Sequence, residues 1–432
     1  MSGGLRISWR RLEWWGCGLA LFLQTGAAFP LLMDSLRGPS DPGNLTELRL
    51  LALPPYAITI ALLARHRLQL LLALRRNLPL VLLLALLTAS VLWSVAPGVS
   101  LRRAVALLLS MGLACVIAIR FTPRQMLVLV AAVLLPCMAA SLCLGLLAPQ
   151  LARMPDDMQL RGIFLHKNVL GWYSAVAVLV SGFMVLQGSV VRRPVAWAGL
   201  GVSLACLLSS TSMTGLLALL AVAVLAPFYA LLPRLSGSAR LLLVLVVLEA
   251  ASLLMLGLQA YLVPALEALG KDATLTGRVP LWDLVDAAIA RRPLLGFGYK
   301  AFWQSPEAWS IWGAIGWNAP HSHNGYREML LSGGVAGLAL MLVVLATALR
   351  RGAALHCADP RAGWIWLNVL VGMFVVMNLT ECLFMEQNDF LSILCATAIL
   401  SFGLRAAELG RAPALASDGL DLGPAAYPAR SL

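Results

Sequence analysis

The chain is a succession of Leu/Ala-rich runs, each close to the length that crosses a bilayer. A hydrocarbon core about 30 Å thick takes about 20 apolar residues in a helix. Inside it every backbone N–H and C=O must find a partner within the protein, which leaves helices or a closed barrel. The runs lack the alternate-residue pattern of barrel strands. They therefore predict an all-α polytopic membrane protein of about twelve transmembrane helices. The expected spans are 14–33, 46–64, 78–96, 101–120, 125–148, 167–187, 195–210, 213–232, 241–263, 325–349, 363–382 and 389–405. The second is the weakest, because it carries Glu47, Arg49 and Pro54–Pro55. Composition agrees: 60% of residues are hydrophobic and 12% charged, whereas a soluble domain is about a quarter charged.

The net charge of +12 suggests nucleic acid as a partner, but the positions of the basic residues exclude it. With the N-terminus cytoplasmic, Arg65, Arg67, Arg75, Arg76, Arg120, Arg124, Arg192, Arg193, Arg234, Arg240, Arg350, Arg351 and Arg361 all fall in inner loops. That alternation follows the positive-inside rule and makes both termini cytoplasmic. Arg6, Arg10 and Arg11 ahead of an apolar run resemble a signal peptide, read here as a retained first span. The eight cysteines form no Cys-x-x-Cys pair, so neither a disulfide framework nor a zinc site is expected.

Basic residues on the expected outer side run against topology and call for an anionic ligand. They are Arg102, Arg103, Arg153, Arg161, Lys167, Lys271, Arg278, Arg291, Arg292, Lys300 and Arg327. Two outer segments carry most of them, 148–167 and the long polar stretch 264–322. In the second, Leu281, Leu284, Val285, Ala288 and Ile289 recur at helical spacing between Pro280 and Pro293. This predicts a short amphipathic helix on the outer interface. Phe297, Tyr299, Phe302, Trp303, Trp309, Trp312 and Trp317 follow, suited either to stacking on sugar rings or to an interfacial aromatic belt. The expected organisation is a transmembrane domain over 1–405, with 264–322 as its large outer loop, and a disordered cytoplasmic tail over 406–432.

Asn318 to Leu340 reads "NAPHSHNGYREMLLSGGVAGLAL". Within it His323 and Asn324 are followed by nine residues, then Gly334 and Gly337. This His-Asn-x9-Gly-x-x-Gly pattern resembles the signature of the bacterial O-antigen ligase and polymerase superfamily. "RGIFLHKNVLGW" from Arg161 resembles a stretch of its exopolysaccharide-polymerase branch. "TGRVPLW" with "RRPLLGFGYKAF" resembles the family's outer loop, "SVLWSVAPGVSLRRA" its early motif, and "NLTECLF" its late one.

The resemblance implies a GT-C-like membrane glycosyltransferase in the bacterial inner membrane, working at the periplasmic face. It implies an undecaprenyl-pyrophosphate-linked glycan as donor, with a chain-length regulator and a flippase as pathway partners, and no cofactor. The residues suit that chemistry. A base must take the acceptor hydroxyl's proton, and histidine titrates in the right range. His323 is the candidate, with His321 as the alternative. Fixed guanidinium groups stabilise charge on a departing pyrophosphate. Arg278 and Arg161 are candidates, with Lys167 beside them. His166 serves phosphate or substrate, or only caps its helix. Asn324 and Glu328 fall near the acceptor, Glu328 orienting a neighbouring base or pairing with Arg327. Gly334 and Gly337 are expected to permit close helix packing. No Asp-x-Asp pair or other carboxylate cluster is evident on the outer side, so arginine rather than metal is expected to carry charge.

One departure stands out. Ligases of the family commonly carry a basic residue where "SSTSMTGLLAL" has Met213. The reading is therefore a polymerase extending lipid-linked repeat units. A ligase delivering finished glycan to lipid A core is the nearest rival. A transporter is a rival of another class, for which Glu249 is the lone mid-span candidate.

Overall fold

A computed structural model of the chain describes residues 8–27, 29, 52–155, 157–188, 191–243 and 278–409. Helices α1 (Trp9–Gln24), α2 (Leu53–Arg65), α3 (Arg67–Arg76), α4 (Leu78–Ala89), α5 (Pro97–Arg120), α6 (Pro123–Leu147), α7 (Lys167–Gln187), α8 (Arg193–Ser210) and α9 (Met213–Leu231) form its first part. The second part comprises α10 (Arg278–Ile289), α11 (Pro306–Ile315), α12 (Gly325–Ala358), α13 (Trp364–Met377) and α14 (Phe390–Leu409). Among the described residues six helices are long and apolar enough to cross a membrane, or seven if the bent pair α2–α3 is one span. The protein is thus an all-α, multi-pass membrane protein.

That is fewer than the twelve expected spans, and the differences have local causes. Spans three and eleven fall on shorter apolar helices, Leu78–Trp93 and Trp364–Met377. Most of span nine, with Glu249, lies outside the described residues, as do Lys271 and most of the tail. The second span begins at Leu53 with Pro54 and Pro55 in its first turn, where proline costs no hydrogen bond. The chain then bends by 92° into α3, which continues a helix where an inner loop was expected. Buried Glu13 on α1 holds the bend, bonding Arg65 Nε at 3.1 Å, His66 Nε2 at 3.0 Å and Arg120 Nε at 2.7 Å.

Side-chain caps set several helix starts. Thr122 and Gln125 form a capping box before Pro123. Ser212 caps α9 directly after the tight turn at Thr211. The helices pack in two groups. In one, α7 lies against α8, α9 and α6; in the other, α14 lies against α5 and α12. α9 bridges to the rest through α13. α14 is the most enclosed span and α9 the most outward-facing.

The segment from α10 to α12 folds over one end of the bundle. Its apolar residues form a second small core of Leu281, Val285, Phe297, Phe302, Trp303 and Ile311. α10 is the expected amphipathic helix; α11 was not anticipated. Phe297, Phe302 and Trp303 are buried in this core and Tyr299 in the main one, so they pack rather than form a stacking face or a belt. Trp309 and Trp317 stay exposed.

Candidate functional site

The site is built where the start of α12 meets the loop between α13 and α14. Asn378 ends α13 and organises that loop: its Oδ1 accepts from Leu383 N at 2.9 Å and Phe384 N at 3.0 Å. This turns the chain out of the helix, so the expected eleventh span stops at Met377 and Glu381 lies in a loop. Gly325 N donates to Asn378 O at 2.8 Å. A Cβ at Gly325 would lie 2.2 Å from Asn378 Oδ1, so only glycine allows the approach. Asn324 caps α12, accepting from Tyr326 N at 3.0 Å and Arg327 N at 3.1 Å, and donates to Leu379 O at 3.1 Å. In the His-Asn pair, Asn324 fixes the backbone and His323 is the side chain presented. His323 has φ 52°, a left-handed conformation uncommon outside glycine.

Glu381 is the hub, and reading the sequence alone overlooked it. Its residue is 1% exposed. Oε1 accepts from Arg278 Nη2 at 3.0 Å, while Arg278 Nη1 donates to Thr380 O at 2.6 Å. Oε2 lies 3.5 Å from His323 Nδ1. Thr214 of α9 reaches Oε1 at 3.5 Å and Thr380 Oγ1 at 2.9 Å. Burial opposes the charge on Glu381, but contact with His323 and the Arg278 charge outweigh it and hold the carboxyl below its ordinary range. The rings of His321 and His323 are 4.2 Å apart. His321 Nδ1 accepts from His323 N at 3.2 Å. Burial, with the charge of His323 next, pushes His321 down to about 3. The Trp317 ring lies 5.9 Å from that of His323.

The fold thus joins Arg278 to His321 and His323, which follow it by 43 and 45 residues, and adds Glu381. It also corrects the expectation that no carboxylates cluster here. Glu328, Glu381 and Glu386 all lie at this end, each beside a cation: Arg278 on Glu381, and Lys300 on Glu386 and, at 3.6 Å, on Glu328. Ligand-capable atoms of His321, His323 and Glu381 lie within 4.8 Å of one another, a set that could hold a divalent ion. Arg278 opposes such an ion, because its positive charge already occupies one oxygen of the shared carboxylate.

The other expected residues are distributed differently. Glu328 neither pairs with Arg327 nor touches a histidine side chain. Its carboxylate accepts from Trp303 Nε1 at 3.2 Å and Ser322 N at 3.1 Å, pinning the small core to the histidine loop. Arg327 pairs instead with Asp286 of α10 at 2.7 Å, and Trp282 Nε1 donates to Ser322 O at 2.8 Å. α10 is thereby clamped over the histidines. His166 caps α7, its Nδ1 accepting from Asn168 N at 3.1 Å. Burial and Lys167 lower its pKa, while Glu381 raises it, so the two sites share a field. Lys167 is bound to Asp157 and, at 2.5 Å, to Gln159 Oε1. Arg161 Nη2 donates to Leu151 O at 3.2 Å, within its own loop. Met213 is 74% exposed on the first turn of α9, next to Thr214.

Gly334 does something other than ease helix packing. It has φ 62° and ψ −161°, a break inside α12. The backbone of 293–297 enters that break: Val335 N donates to Pro293 O at 2.8 Å and Phe297 N to Leu331 O at 2.7 Å. The outer segment is thus stitched into α12 by main-chain bonds.

Residues 198–342 match the family model described as O-Antigen ligase. This stretch is similar to the O-antigen ligase family. The matched stretch includes Arg278, His321 and His323 but ends before Glu381. The chain is also 31% identical over 276 residues to the exopolysaccharide production protein ExoQ of Rhizobium meliloti strain 1021. That alignment covers 60% of this chain and 61% of the relative, so it spans about three fifths of that protein's length. The resemblance read from the motifs, to the superfamily and to its exopolysaccharide branch, is thereby borne out.

Proposed function

We propose that the chain is an inner-membrane glycan polymerase, with its site on the periplasmic face and both termini in the cytoplasm. The donor is a glycan on undecaprenyl pyrophosphate, and the acceptor is a hydroxyl of a second lipid-linked repeat unit. The observation that carries this reading is the constellation of His323 and Arg278 on one buried carboxylate, Glu381. It sets a proton acceptor beside a guanidinium suited to pyrophosphate.

In this reading His323 takes the hydroxyl proton as the acceptor oxygen bonds to the anomeric carbon. The bond from that carbon to the pyrophosphate oxygen breaks, and its electron pair leaves on the pyrophosphate. Arg278 stabilises that charge, so no metal is required. His321, held at about 3 chiefly by burial, is too weak a base near neutral pH, which favours His323. Lys167 and Arg161 serve the donor at the edge of the site, with His166 between them and the histidines. A chain-length regulator and a flippase remain proposed partners.

A ligase is the second reading, favoured by the description of the family that matches 198–342. One experiment separates the two. A deletion strain is complemented with wild type, His323→Ala or Arg278→Ala at matched membrane levels, and lipid-linked and secreted glycan are sized. Single repeat units accumulating on lipid in both variants support the polymerase. Long chains that stay on lipid support the ligase. Normal glycan from both variants overturns the site.

A further inference from the structure

We propose that Glu381 is a positioning residue that couples donor binding to the readiness of His323 to accept a proton. The inference rests on the reading above, in which Arg278 binds pyrophosphate and His323 is the base.

One carboxylate serves two partners unequally. Its Oε1 holds Arg278 at 3.0 Å, and its Oε2 stands 3.5 Å from His323 Nδ1. The second distance exceeds the roughly 2.7–2.9 Å of a charge-assisted bond. Arg278 has a second anchor, the Thr380 carbonyl at 2.6 Å, about which the guanidinium can turn. A pyrophosphate offers Arg278 more negative charge than one carboxylate does, in a geometry suited to its fork. As Arg278 turns to the donor, Glu381 loses part of the charge that balanced it. A carboxylate this buried is costly to leave unpaired. With Thr214 Oγ1 standing 3.5 Å from Oε1, the donor that faces Oε2 is Nδ1–H of His323. Tightening that contact fixes the tautomer with Nε2 as acceptor and stabilises the imidazolium that forms. His323 is then the stronger base when the donor is present.

The charged and titratable groups bearing on His323 are His321 from its own loop, Glu381 from the α13–α14 loop, Arg278 from α10 and His166 from the start of α7. Among the described residues, Glu381 is the one in contact with both Arg278 and His323.

The test uses the full chain in detergent with undecaprenyl pyrophosphate as probe. The five histidines are labelled for carbon NMR, and the His323 signal is assigned with His323→Gln. In wild type the probe should raise the midpoint of His323 titration by about one pH unit. In Glu381→Gln that rise should at least halve, and the probe should bind about 5-fold tighter, because Arg278 no longer has a competing anion. In Arg278→Lys, which lacks the guanidinium's fork for pyrophosphate, the probe should move the midpoint less. An equal rise in wild type and both variants would mean that the pyrophosphate acts on His323 directly, and overturns the coupling. The underlying reading fails separately: it is lost if Arg278→Ala leaves probe affinity unchanged.

Discussion

Gly334 and Leu294 meet backbone to backbone: a Cβ at Gly334 would lie 2.3 Å from the carbonyl oxygen of Leu294. The φ 62°, ψ −161° conformation is itself one that side chains avoid. Gly334→Ala should therefore destabilise the protein by at least about 1–3 kcal/mol and detach the 293–297 stitch. Gly337→Ala has Met329 Sδ, a flexible neighbour at 3.3 Å, as its closest contact and should be milder. Thermal unfolding of both variants in detergent checks the order.

Arg278 and Glu381 should behave as a unit in stability. Arg278→Ala strands a buried carboxylate and should cost about 3–5 kcal/mol. Adding Glu381→Gln to it should recover much of that loss while activity stays absent. A double variant no more stable than the single would mean that the pair is not what holds this loop. Chemical or thermal unfolding of the three variants measures it.

His321 sets an acid dependence of stability. Its folded pKa, about 3, is depressed below the ordinary value of 6.5, chiefly by burial. Its contribution is fully present above pH 6.5. It is lost as pH falls towards 3, because there the unfolded chain binds a proton that the folded chain refuses. His321→Gln should flatten stability over that window, and unfolding midpoints from pH 7 to 4 would reveal it.

Met213 stands exposed where the family resemblance leads one to expect a cation, one residue before Thr214, which contacts Glu381. Met213→Arg should change stability by no more than about 0.5 kcal/mol. It should tighten binding of undecaprenyl pyrophosphate. Weaker binding would place this turn away from the donor path.

The sequence alone determined the solvent this protein folds in, and hence its class. Long apolar runs permit little but helices across a bilayer, because no water is present to satisfy an open backbone. The period of Leu281, Val285 and Ala288 was enough to predict α10. The His-Asn-x9-Gly-x-x-Gly pattern was enough to predict the family and to single out His323. Each of these signals is local, written within a few turns of chain.

The tertiary structure decided the rest. Glu381 was invisible as a site residue because its meaning depends on Arg278 and His323, 103 and 58 residues away. Asn324, expected near the acceptor, also caps a helix, and Glu328, expected to orient a base or pair with Arg327, holds Trp303 and Lys300 instead of Arg327. The aromatics that suggested sugar stacking largely fill a core. Residue type sets which charges and hydrogen bonds a side chain can offer. Which partner accepts them is fixed by how the helices pack, and a buried carboxylate takes whichever cation that packing brings to it.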